Sequence, residues 1–202
     1  MDDKSLLIII TGPSGSGKGT VIKAIMNRFP GITRVVTYTT RDPRQGERHG
    51  VDYLFVSHDD FFNKVKNEEI FEYESVYNDY YYGSPANPFH NGMHKVMEVD
   101  YKGHRKYKQR FPQAVSIFIM PPSLKELKER IEDRAKEKNL EARLLNAIEQ
   151  MRYAPEYDYI VKNHDLKSCL EKIFCIISAE LTKRDRQNLL GEIQQMIEEG
   201  DR

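Results

Sequence analysis

The stretch from Ile8 to Thr20, IIITGPSGSGKGT, constrains the fold of this chain more than any other. With the preceding Leu6 and Leu7, its apolar first residues are typical of a strand buried on both faces, and the rest matches the G-x-x-x-x-G-K core of a phosphate-binding P-loop. Backbone N–H groups of such a loop converge on phosphate oxygens, the lysine reaches the outer phosphates, and the following helix adds its N-terminal dipole. An ordinary Gly/Ser-rich turn is the alternative, but it fits poorly between a buried strand and a helical pattern. The residues predicted to bind the phosphates of a nucleoside triphosphate are Gly12, Pro13, Ser14, Gly15, Ser16, Gly17, Lys18, Gly19 and Thr20.

Gly19 is the position at which this loop departs from the general motif, which places a Mg²⁺-binding Ser or Thr directly after the lysine. Thr20 is the nearest hydroxyl that follows. The G-K-G-T variant resembles the loop of nucleoside monophosphate kinases. The sequence leaves open whether Mg²⁺ contacts a P-loop hydroxyl directly or through water.

Composition limits the classes of partner. The chain has 202 residues, with 31 basic and 31 acidic side chains, so no overall charge argues for nucleic acid or for an anionic membrane surface. Its two cysteines, Cys169 and Cys175, lie in an apolar helical pattern that favours packing over metal binding or a disulfide. The acidic start MDDKSLL leads directly into the first strand, and no apolar run approaches a membrane span. We therefore expect a cytoplasmic protein without nucleic-acid or membrane partners.

Alternating strand and helix patterns predict a single α/β domain over residues 1–202, with a mainly parallel central sheet flanked by helices. We place its core at about 1–33 and 94–183, an insert lobe at about 34–93, a short helical lid at about 124–152 and an extra C-terminal helix at about 185–200. Ligands of such sheets gather beyond the carboxyl ends of the strands, where we expect Gly12, Thr37 and Asp100 to emerge. The strands predicted after the first one are 34–38, 51–56, 70–76, 96–100, 115–119 and 157–161.

A set of cationic and phenolic side chains in the insert lobe is a candidate site for a second phosphate. Arg41 and Arg44 flank Asp42-Pro43 in a loop rich in turn residues, and Tyr53 and Tyr82 follow further along. Two guanidinium groups and two phenols could hold a dianionic monophosphate in one orientation. Taken singly, each of these residues could equally be a solvated arginine or a packed tyrosine.

Several motifs together resemble those of guanylate kinases, and the resemblance spans about Leu6 to Leu181. They are the P-loop, T-T-R-D-P-R-Q-G-E-R-H-G-V-D-Y-L-F-V-S, F-E-Y, Y-Y-G-S, V-D-Y-K-G, V-S-I-F-I-M-P-P-S and Y-D-Y-I-V-K-N. The resemblance implies a P-loop kinase whose insert lobe binds GMP, with ATP as the phosphate donor and Mg²⁺ as the cofactor. The residues that it implies for GMP are Thr37, Arg41, Arg44, Tyr53, Glu72, Tyr82, Ser84 and Asp100.

The resemblance also implies a division of roles. Arg41, Arg44, Tyr53 and Tyr82 match residues that bind the GMP phosphate, whereas Glu72, Thr37 and Ser84 match residues that bind guanine. Asp100 matches an aspartate that acts near the acceptor and the metal, and together with Thr20 it is a candidate magnesium ligand beside the substrate phosphates and water. Arg130 and Arg134 match ATP-binding arginines of the lid. The implied catalytic set is Lys18, Arg41, Asp100, Arg134 and Arg143.

Four features depart from the family pattern. Glu98 stands where many relatives carry aspartate, and Lys102 where many carry glutamine. The lid sequence D-R-A-K-E-K-N-L-E-A-R and the region between Ser84 and Asp100 are both shorter than usual. The roles of Glu98 and Lys102 are therefore left open, whereas the two shortened regions concern closure of the lid more than the class of reaction.

Three functions are compatible with these patterns. The first is transfer of the γ-phosphate of ATP to GMP, which gives ADP and GDP. The second is a non-catalytic guanylate kinase-like scaffold that binds peptides, although such domains usually have a degraded P-loop. The third is a related P-loop kinase that phosphorylates another phosphorylated ribose compound, for which Glu72 would have little use. For each of these we expect a monomer rather than a homodimer, with the C-terminal helix packed on the body of the same chain.

Overall fold

Two β-sheets organise the chain in a computed structural model, which describes residues 5–76, 80–89, 94–134, 140–187 and 189–200. The larger is a parallel sheet with the strand order β2-β7-β1-β8-β9. Its strands are β1 (Leu7–Thr11), β2 (Ile32–Arg34), β7 (His94–Glu98), β8 (Val115–Met120) and β9 (Tyr159–Lys162). The predicted parallel central sheet is therefore confirmed.

Strand β1 lies at the centre of this sheet, and all five of its residues are buried. It pairs with β7 and β8, so that Ile9 lies opposite Met97 on one side and Ser116 on the other. A central parallel strand is covered by helices on both faces, which explains why its sequence is a continuous apolar run rather than an alternating one.

Helices cover both faces of the central sheet. The helices that the structure describes are α1 (Lys18–Arg28), α2 (His58–Lys66), α3 (Tyr101–Arg110), α4 (Leu124–Arg134), α5 (Leu140–Arg152), α6 (Leu166–Leu181) and α7 (Leu189–Gly200). Alternate β1 side chains face opposite ways. Ile8 and Ile10 belong to one apolar cluster with residues of α1 and α6 such as Ile173, whereas Ile9 belongs to a second cluster with Tyr107 of α3.

The smaller sheet has the strand order β4-β3-β6-β5 and lies within the predicted insert lobe. Its strands are β3 (Tyr38–Thr39), β4 (Leu54–Phe55), β5 (Ile70–Val76) and β6 (Tyr80–Pro85). Helix α2 packs against this sheet so closely at Gly83 that a Cβ atom there would lie 2.7 Å from Ile70 and 2.8 Å from Phe61. The glycine of the Y-Y-G-S motif is thus required by packing.

Four predicted strands differ from the structure by two residues or more. The strand predicted at 96–100 is β7 at His94–Glu98, because Asp100 caps α3. Residues 34–38 do not form one strand, because the chain leaves the central sheet after β2 and enters the small sheet at β3. Residues 51–56 contribute only the short β4, since the N–H groups of Val51 and Asp52 bond the Arg48 carbonyl in a turn. The last strand begins at Tyr159 rather than Tyr157, because a 3-10 turn over Ala154–Glu156 precedes it.

The predicted lid region contains α4 and α5, and residues 135–139 between them lie outside the described residues. Helix α7 follows a 3-10 turn at Arg184–Arg186 and exposes Met196 and Ile197. None of the helices within the described ranges is long and apolar enough to cross a membrane. The division into core, insert lobe and lid stays a prediction.

Candidate active site

The P-loop connects β1 to α1 and depends on glycine at two close approaches. Gly12 has a φ of 151°, and a Cβ atom there would lie 2.5 Å from the carbonyl oxygen of Ile119 in β8. Gly17 precedes α1 with a φ of 100°, and a Cβ there would lie 2.8 Å from the Nδ2 of Asn163. A side chain at either position would force the loop away from the strands that hold it.

Neighbouring elements hold the loop from two sides. The Nδ2 of Asn163, which directly follows β9, donates to the carbonyl oxygen of Ser16 at 2.8 Å, and both residues are buried. On the other side α4 packs against Gly15, where Leu127 and Ile131 are the nearest side chains. The position of the phosphate-binding backbone is therefore set by β9 and by the first helix of the predicted lid. We did not predict the role of Asn163, although it ends the quoted Y-D-Y-I-V-K-N motif.

The Lys18 side chain folds back onto the start of the P-loop. Its Nζ donates to the carbonyl oxygens of Gly12 and Pro13, at 2.7 and 3.1 Å, and lies 3.5 Å from Oε1 of Glu98. Glu98 ends β7, so a carboxylate of the neighbouring strand balances the lysine charge. Of the other predicted loop residues, Pro13 is buried, whereas Ser14, Gly19 and Thr20 are exposed.

The carboxyl ends of β1 and β7 are tied together beside the loop. The Thr11 hydroxyl donates to the Val99 carbonyl oxygen at 2.9 Å. This bond brings Gly12, which begins the P-loop, next to Asp100, which begins α3. Asp100 caps that helix, because its Oδ1 accepts from the N–H of Gly103 at 2.8 Å. The cap fixes the direction of the Asp100 carboxylate at the sheet edge.

A cavity of about 260 Å³ joins this edge to the small sheet. Eight predicted site residues line it: Gly12, Lys18, Thr37, Tyr53, Glu72, Tyr82, Ser84 and Asp100. Six further residues also line it: Arg34, Glu74, Gly83, Glu98, Val99 and Gln150. Among these six, Glu98 was named in the sequence analysis and Gly83 and Val99 belong to its quoted motifs, but none was predicted as a site residue. The donor loop and the predicted acceptor residues thus share one cavity, to which α5 contributes Gln150.

Glu72 is the most buried carboxylate of this cavity, with 7% of its surface exposed. Burial, and then the negative charge of Asp100, raises the pKa of Glu72 to about 7, although Lys106 and a hydrogen bond from Ser84 oppose that shift. Gly103 makes room for the carboxyl group, since a Cβ there would lie 3.0 Å from Cδ of Glu72. Near neutral pH this group can change between an acceptor and a donor of hydrogen bonds.

Glu74 and Asp100 are a pair of interacting carboxyl groups in the lining of the cavity. Burial and the nearby charge and hydrogen bond of Asp100 raise the pKa of Glu74, while Lys102 opposes the shift. The Nζ of Lys102 lies 4.0 Å from Oε1 of Glu74. Lys102, whose role the sequence left uncertain, therefore balances acidic charge of this pair.

Arg41 is fixed by its neighbours beside the cavity rather than in its lining. Its Nη1 and Nη2 donate to the two carboxylate oxygens of Glu47 at 2.6 and 2.7 Å, and its Nε donates to the Tyr82 hydroxyl at 3.0 Å. The guanidinium carbon lies 5.0 Å from the centre of the Tyr53 ring. The bond from Arg41 lowers the pKa of Glu47 to about 2, and the same pair raises the pKa of Arg41. Arg41, Tyr53 and Tyr82 thus form one contact group, as the second-phosphate hypothesis requires.

The other predicted arginines lie outside the cavity lining. Arg44 is exposed, and its N–H donates to Oε2 of Glu47. Arg130 lies on α4 beside Gly15, within 3.5 Å of Glu126. Arg134 ends α4, and its side chain falls outside the described part of the structure. Arg143 lies half-buried on α5.

The fold and the site define a P-loop α/β protein in which the loop lysine and a set of acidic side chains line one cavity. Comparison with known proteins identifies the family. The guanylate kinase family model matches residues 4–180. The chain is 40% identical over 189 residues to a guanylate kinase from Caldanaerobacter subterraneus subsp. tengcongensis, and the alignment covers 91% of each chain. It is also 40% identical over 192 residues to a guanylate kinase from Clostridium acetobutylicum, covering 92% of this chain and 91% of that one.

A solved structure agrees with this assignment. The crystal structure of guanylate kinase from Anaplasma phagocytophilum superposes with a TM-score of 0.72 at 29% identity, covering 96% of this chain and 95% of the other. The chain belongs to the guanylate kinase family.

Proposed function

We propose that this chain is a guanylate kinase, an ATP:GMP phosphotransferase that transfers the γ-phosphate of ATP to GMP and gives ADP and GDP. The observation that carries the proposal is a single cavity that holds the P-loop lysine, Lys18, and a buried carboxylate, Glu72. The first group suits a triphosphate, and the second suits a base that presents two N–H donors on one edge. Membership of the guanylate kinase family supports the same reaction.

Guanine recognition is assigned to Glu72, with Thr37 and Ser84 beside it in the cavity lining. Guanine presents its N1–H and N2 amino group on one edge, so an ionised carboxylate can accept a hydrogen bond from each. Adenine lacks the N1–H and would place a lone pair against the carboxylate. Because Glu72 is buried, the mismatched pair would leave polar groups without partners, which discriminates strongly between bases.

Phosphate binding on the acceptor side is assigned to Arg41, Arg44, Tyr53 and Tyr82. Arg41 and both tyrosines already form one contact group, so little side-chain entropy is lost when a phosphate binds there. An oxygen of the GMP phosphate is the nucleophile. It forms a bond to the γ-phosphorus of ATP as the bond from that phosphorus to the bridging oxygen breaks, and ADP leaves with the electron pair.

Cationic side chains neutralise the charge on the transferring group in this proposal. Lys18 serves the donor phosphates, Arg41 serves the acceptor, and Arg134 and Arg143 approach from the lid. Arg130 contributes to ATP binding beside Gly15. Such transfers need alignment and electrostatic stabilisation more than covalent help from the protein.

The residues of the site fit a magnesium ion that is held mainly by the phosphates of the bound substrates. Within the described ranges, no group of three or more His, Cys, Asp or Glu side chains is placed to hold a metal ion. Asp100 lines the cavity, and Thr20 is exposed at the start of α1, so either could contact the ion directly or through water. Magnesium keeps several waters and prefers phosphate oxygens, and it would supply charge neutralisation between the phosphates of ATP.

A coupled ADP-release assay with ATP and Mg²⁺ tests the proposal. We expect turnover with GMP and at most slight turnover with AMP or UMP, and we expect Lys18→Ala to lose most of the activity. Turnover of AMP or UMP in preference to GMP would overturn the guanine assignment. Full activity of Lys18→Ala would overturn the P-loop mechanism. Peptide binding without ATP binding in calorimetry would instead support a scaffold, and full activity of Glu72→Gln would support another phosphorylated ribose substrate.

The quaternary state and the cellular location complete the proposal. We propose a monomer that works in the cytoplasm, with no nucleic-acid or membrane partner, as the balanced charge of the chain favours. Light scattering tests the first part: a dimer that becomes a monomer on truncation after Lys183 would contradict it.

A further inference from the structure

We propose that Arg34 is a further binding residue for the 5′-phosphate of the acceptor nucleotide. The inference rests on the proposed function and adds a residue that neither the motifs nor the resemblance indicated. It follows from where Arg34 lies, what its guanidinium faces and which of the neighbouring cations are already engaged.

Arg34 is the last residue of β2 and lines the cavity together with Lys18, Tyr53 and Glu98. Strand β2 is at the edge of the central sheet, where Arg34 pairs with Val96 of β7. Immediately after Arg34 the chain crosses to the small sheet. The side chain is therefore placed at the junction between the donor loop and the acceptor lobe.

The Tyr53 ring brings two guanidinium groups together. The guanidinium carbon of Arg34 lies 5.9 Å from the centre of the ring, and that of Arg41 lies 5.0 Å from it. Tyr53 also contacts Tyr82 with the ring centres 5.9 Å apart. Arg34 thus approaches the same phenols that are proposed to hold the acceptor phosphate.

The two arginines differ in how many of their side-chain N–H donors already have a partner. An arginine side chain has five N–H donors, and Arg41 uses four of them on Tyr82, the Asp42 carbonyl and the two oxygens of Glu47. One donor of Arg41 is left for a ligand. Among the described residues, the Arg34 side chain makes neither a hydrogen bond nor an ion pair, so its planar set of donors is available.

Charge leads to the same conclusion. Arg41 is balanced by Glu47, and Lys18 lies 3.5 Å from Glu98. A half-buried guanidinium without a close carboxylate is stabilised when an anion binds next to it. The dianionic phosphate of a nucleoside monophosphate has the charge and the paired oxygens to accept two N–H groups of Arg34. Its neighbour Tyr53 and the remaining donor of Arg41 would complete the set.

Variants at Arg34 test the inference by comparing GMP with guanosine, which lacks the phosphate. We expect Arg34→Met to weaken GMP binding in calorimetry by about 10- to 100-fold, the usual effect of losing a charge-assisted hydrogen bond, and to change guanosine binding by less than about twofold. Arg34→Lys keeps the charge without the planar fork, so it should restore part of the affinity. The KM for ATP should be unchanged in both variants.

Arg28→Met is the matched control, because Arg28 also lies over an aromatic ring, that of Phe29 at 5.6 Å, but belongs to α1 outside the cavity lining. Equal losses for GMP and guanosine would show that Arg34 only supports the packing of Tyr53 and would overturn the inference. Unchanged GMP binding would also overturn it. If the unmodified protein fails to turn over GMP in the coupled ADP-release assay, the proposed function itself fails, and this outcome is distinct from an effect of Arg34 on binding. Thermal unfolding of each variant establishes whether it is folded. If Arg34→Met is unfolded, the comparison of GMP with guanosine binding is made with Arg34→Lys instead.

Discussion

The carboxylate of Glu72 is expected to lower the stability of the protein at the pH where it recognises guanine best. Burial and the charge of Asp100 raise its pKa from an ordinary 4.5 to about 7. Between pH 4.5 and pH 7 the folded chain therefore keeps a proton on Glu72 that the unfolded chain has already released. Folding stability falls as the pH rises through this window, and above pH 7 the full penalty is present.

The size of that penalty follows from the two pKa values. Their difference corresponds to about 3 kcal/mol of unfolding free energy. Replacing Glu72 with Gln removes the ionisable group and keeps an oxygen that can accept from Ser84. We therefore expect Glu72→Gln to be more stable than the unmodified protein by up to about 3 kcal/mol at pH 8, which is about 6–12 °C in Tm for a chain of this size.

Below pH 4.5 the gain should vanish, because the carboxyl group is then protonated in both the folded and the unfolded chain. The same variant should bind GMP more weakly at pH 8, by about 10- to 100-fold, since the amide offers one acceptor oxygen where guanine presents two donors. In the unmodified protein, the KM for GMP should fall as the pH rises from 6 to 8, because ionisation of Glu72 creates the second acceptor.

Thermal unfolding of both proteins from pH 4 to pH 8, with GMP calorimetry at pH 8, measures these effects. Glu171→Gln is the control, since Glu171 is exposed on α6. A stability gain that is independent of pH would refute the reasoning, because it would show that the amide improves packing rather than removing a buried charge. An unchanged affinity for GMP would refute the assignment of Glu72 to guanine.

Three further predictions concern two groups that support the site, Gly103 and Glu47, and one buried histidine of α3, His104. Gly103→Ala should raise the KM for GMP several-fold without changing the KM for ATP in steady-state kinetics, because its Cβ would lie 3.0 Å from Cδ of Glu72; equal effects on both substrates would contradict this. Glu47→Gln should raise the KM for GMP about tenfold, since it weakens the charge-assisted bonds that fix Arg41; an unchanged KM would show that Arg41 is positioned without them. His104 is buried, and burial lowers its pKa to about 4, so the folded chain resists its protonation. Relative to the unmodified protein, His104→Phe should therefore gain about 3 kcal/mol of unfolding free energy between pH 7 and pH 4, and parallel curves of unfolding free energy against pH for the two proteins would refute this.

Local patterns were sufficient to predict the strand and the helix on either side of the P-loop. The apolar run of β1 and the glycine spacing after it are continuous in sequence, and each is tied to one backbone geometry. The parallel sheet follows from the alternation of strands and helices. The resemblance placed Glu72, Tyr82 and Ser84 in one acceptor region, and they do line one cavity.

Residues whose place depends on contacts between distant segments could not be predicted in this way. Arg34 reaches the cavity only because β2 pairs with β7 and the chain then changes sheets. Asn163 reaches the P-loop because β9 runs beside β8. Gln150 lines the cavity from the far end of α5, where its sequence context is that of an ordinary polar helix surface. Arg34 and Gln150 have no local signature, and the motif that ends at Asn163 did not indicate its contact with the P-loop, since each of the three acquires its role from strand order or helix packing.

Within the chain itself, the two main phosphate-binding candidates are already held by carboxylates, and this has a consequence for catalysis. Glu47 binds Arg41 through both oxygens, and Glu98 faces Lys18. Each carboxylate fixes a flexible cation near the position that a phosphate would require, which reduces the entropy lost on binding, but it also offsets part of the charge that the phosphate would meet. The two ion pairs differ in strength. Glu47 binds Arg41 through two oxygens at 2.6 and 2.7 Å, whereas Glu98 lies 3.5 Å from Lys18. A phosphate can therefore draw Lys18 away from Glu98 more easily than it can separate Arg41 from Glu47. In the proposed site, Arg41 is therefore a rigid contact for the acceptor phosphate, and Arg34 would supply the positive charge that Glu47 offsets on Arg41.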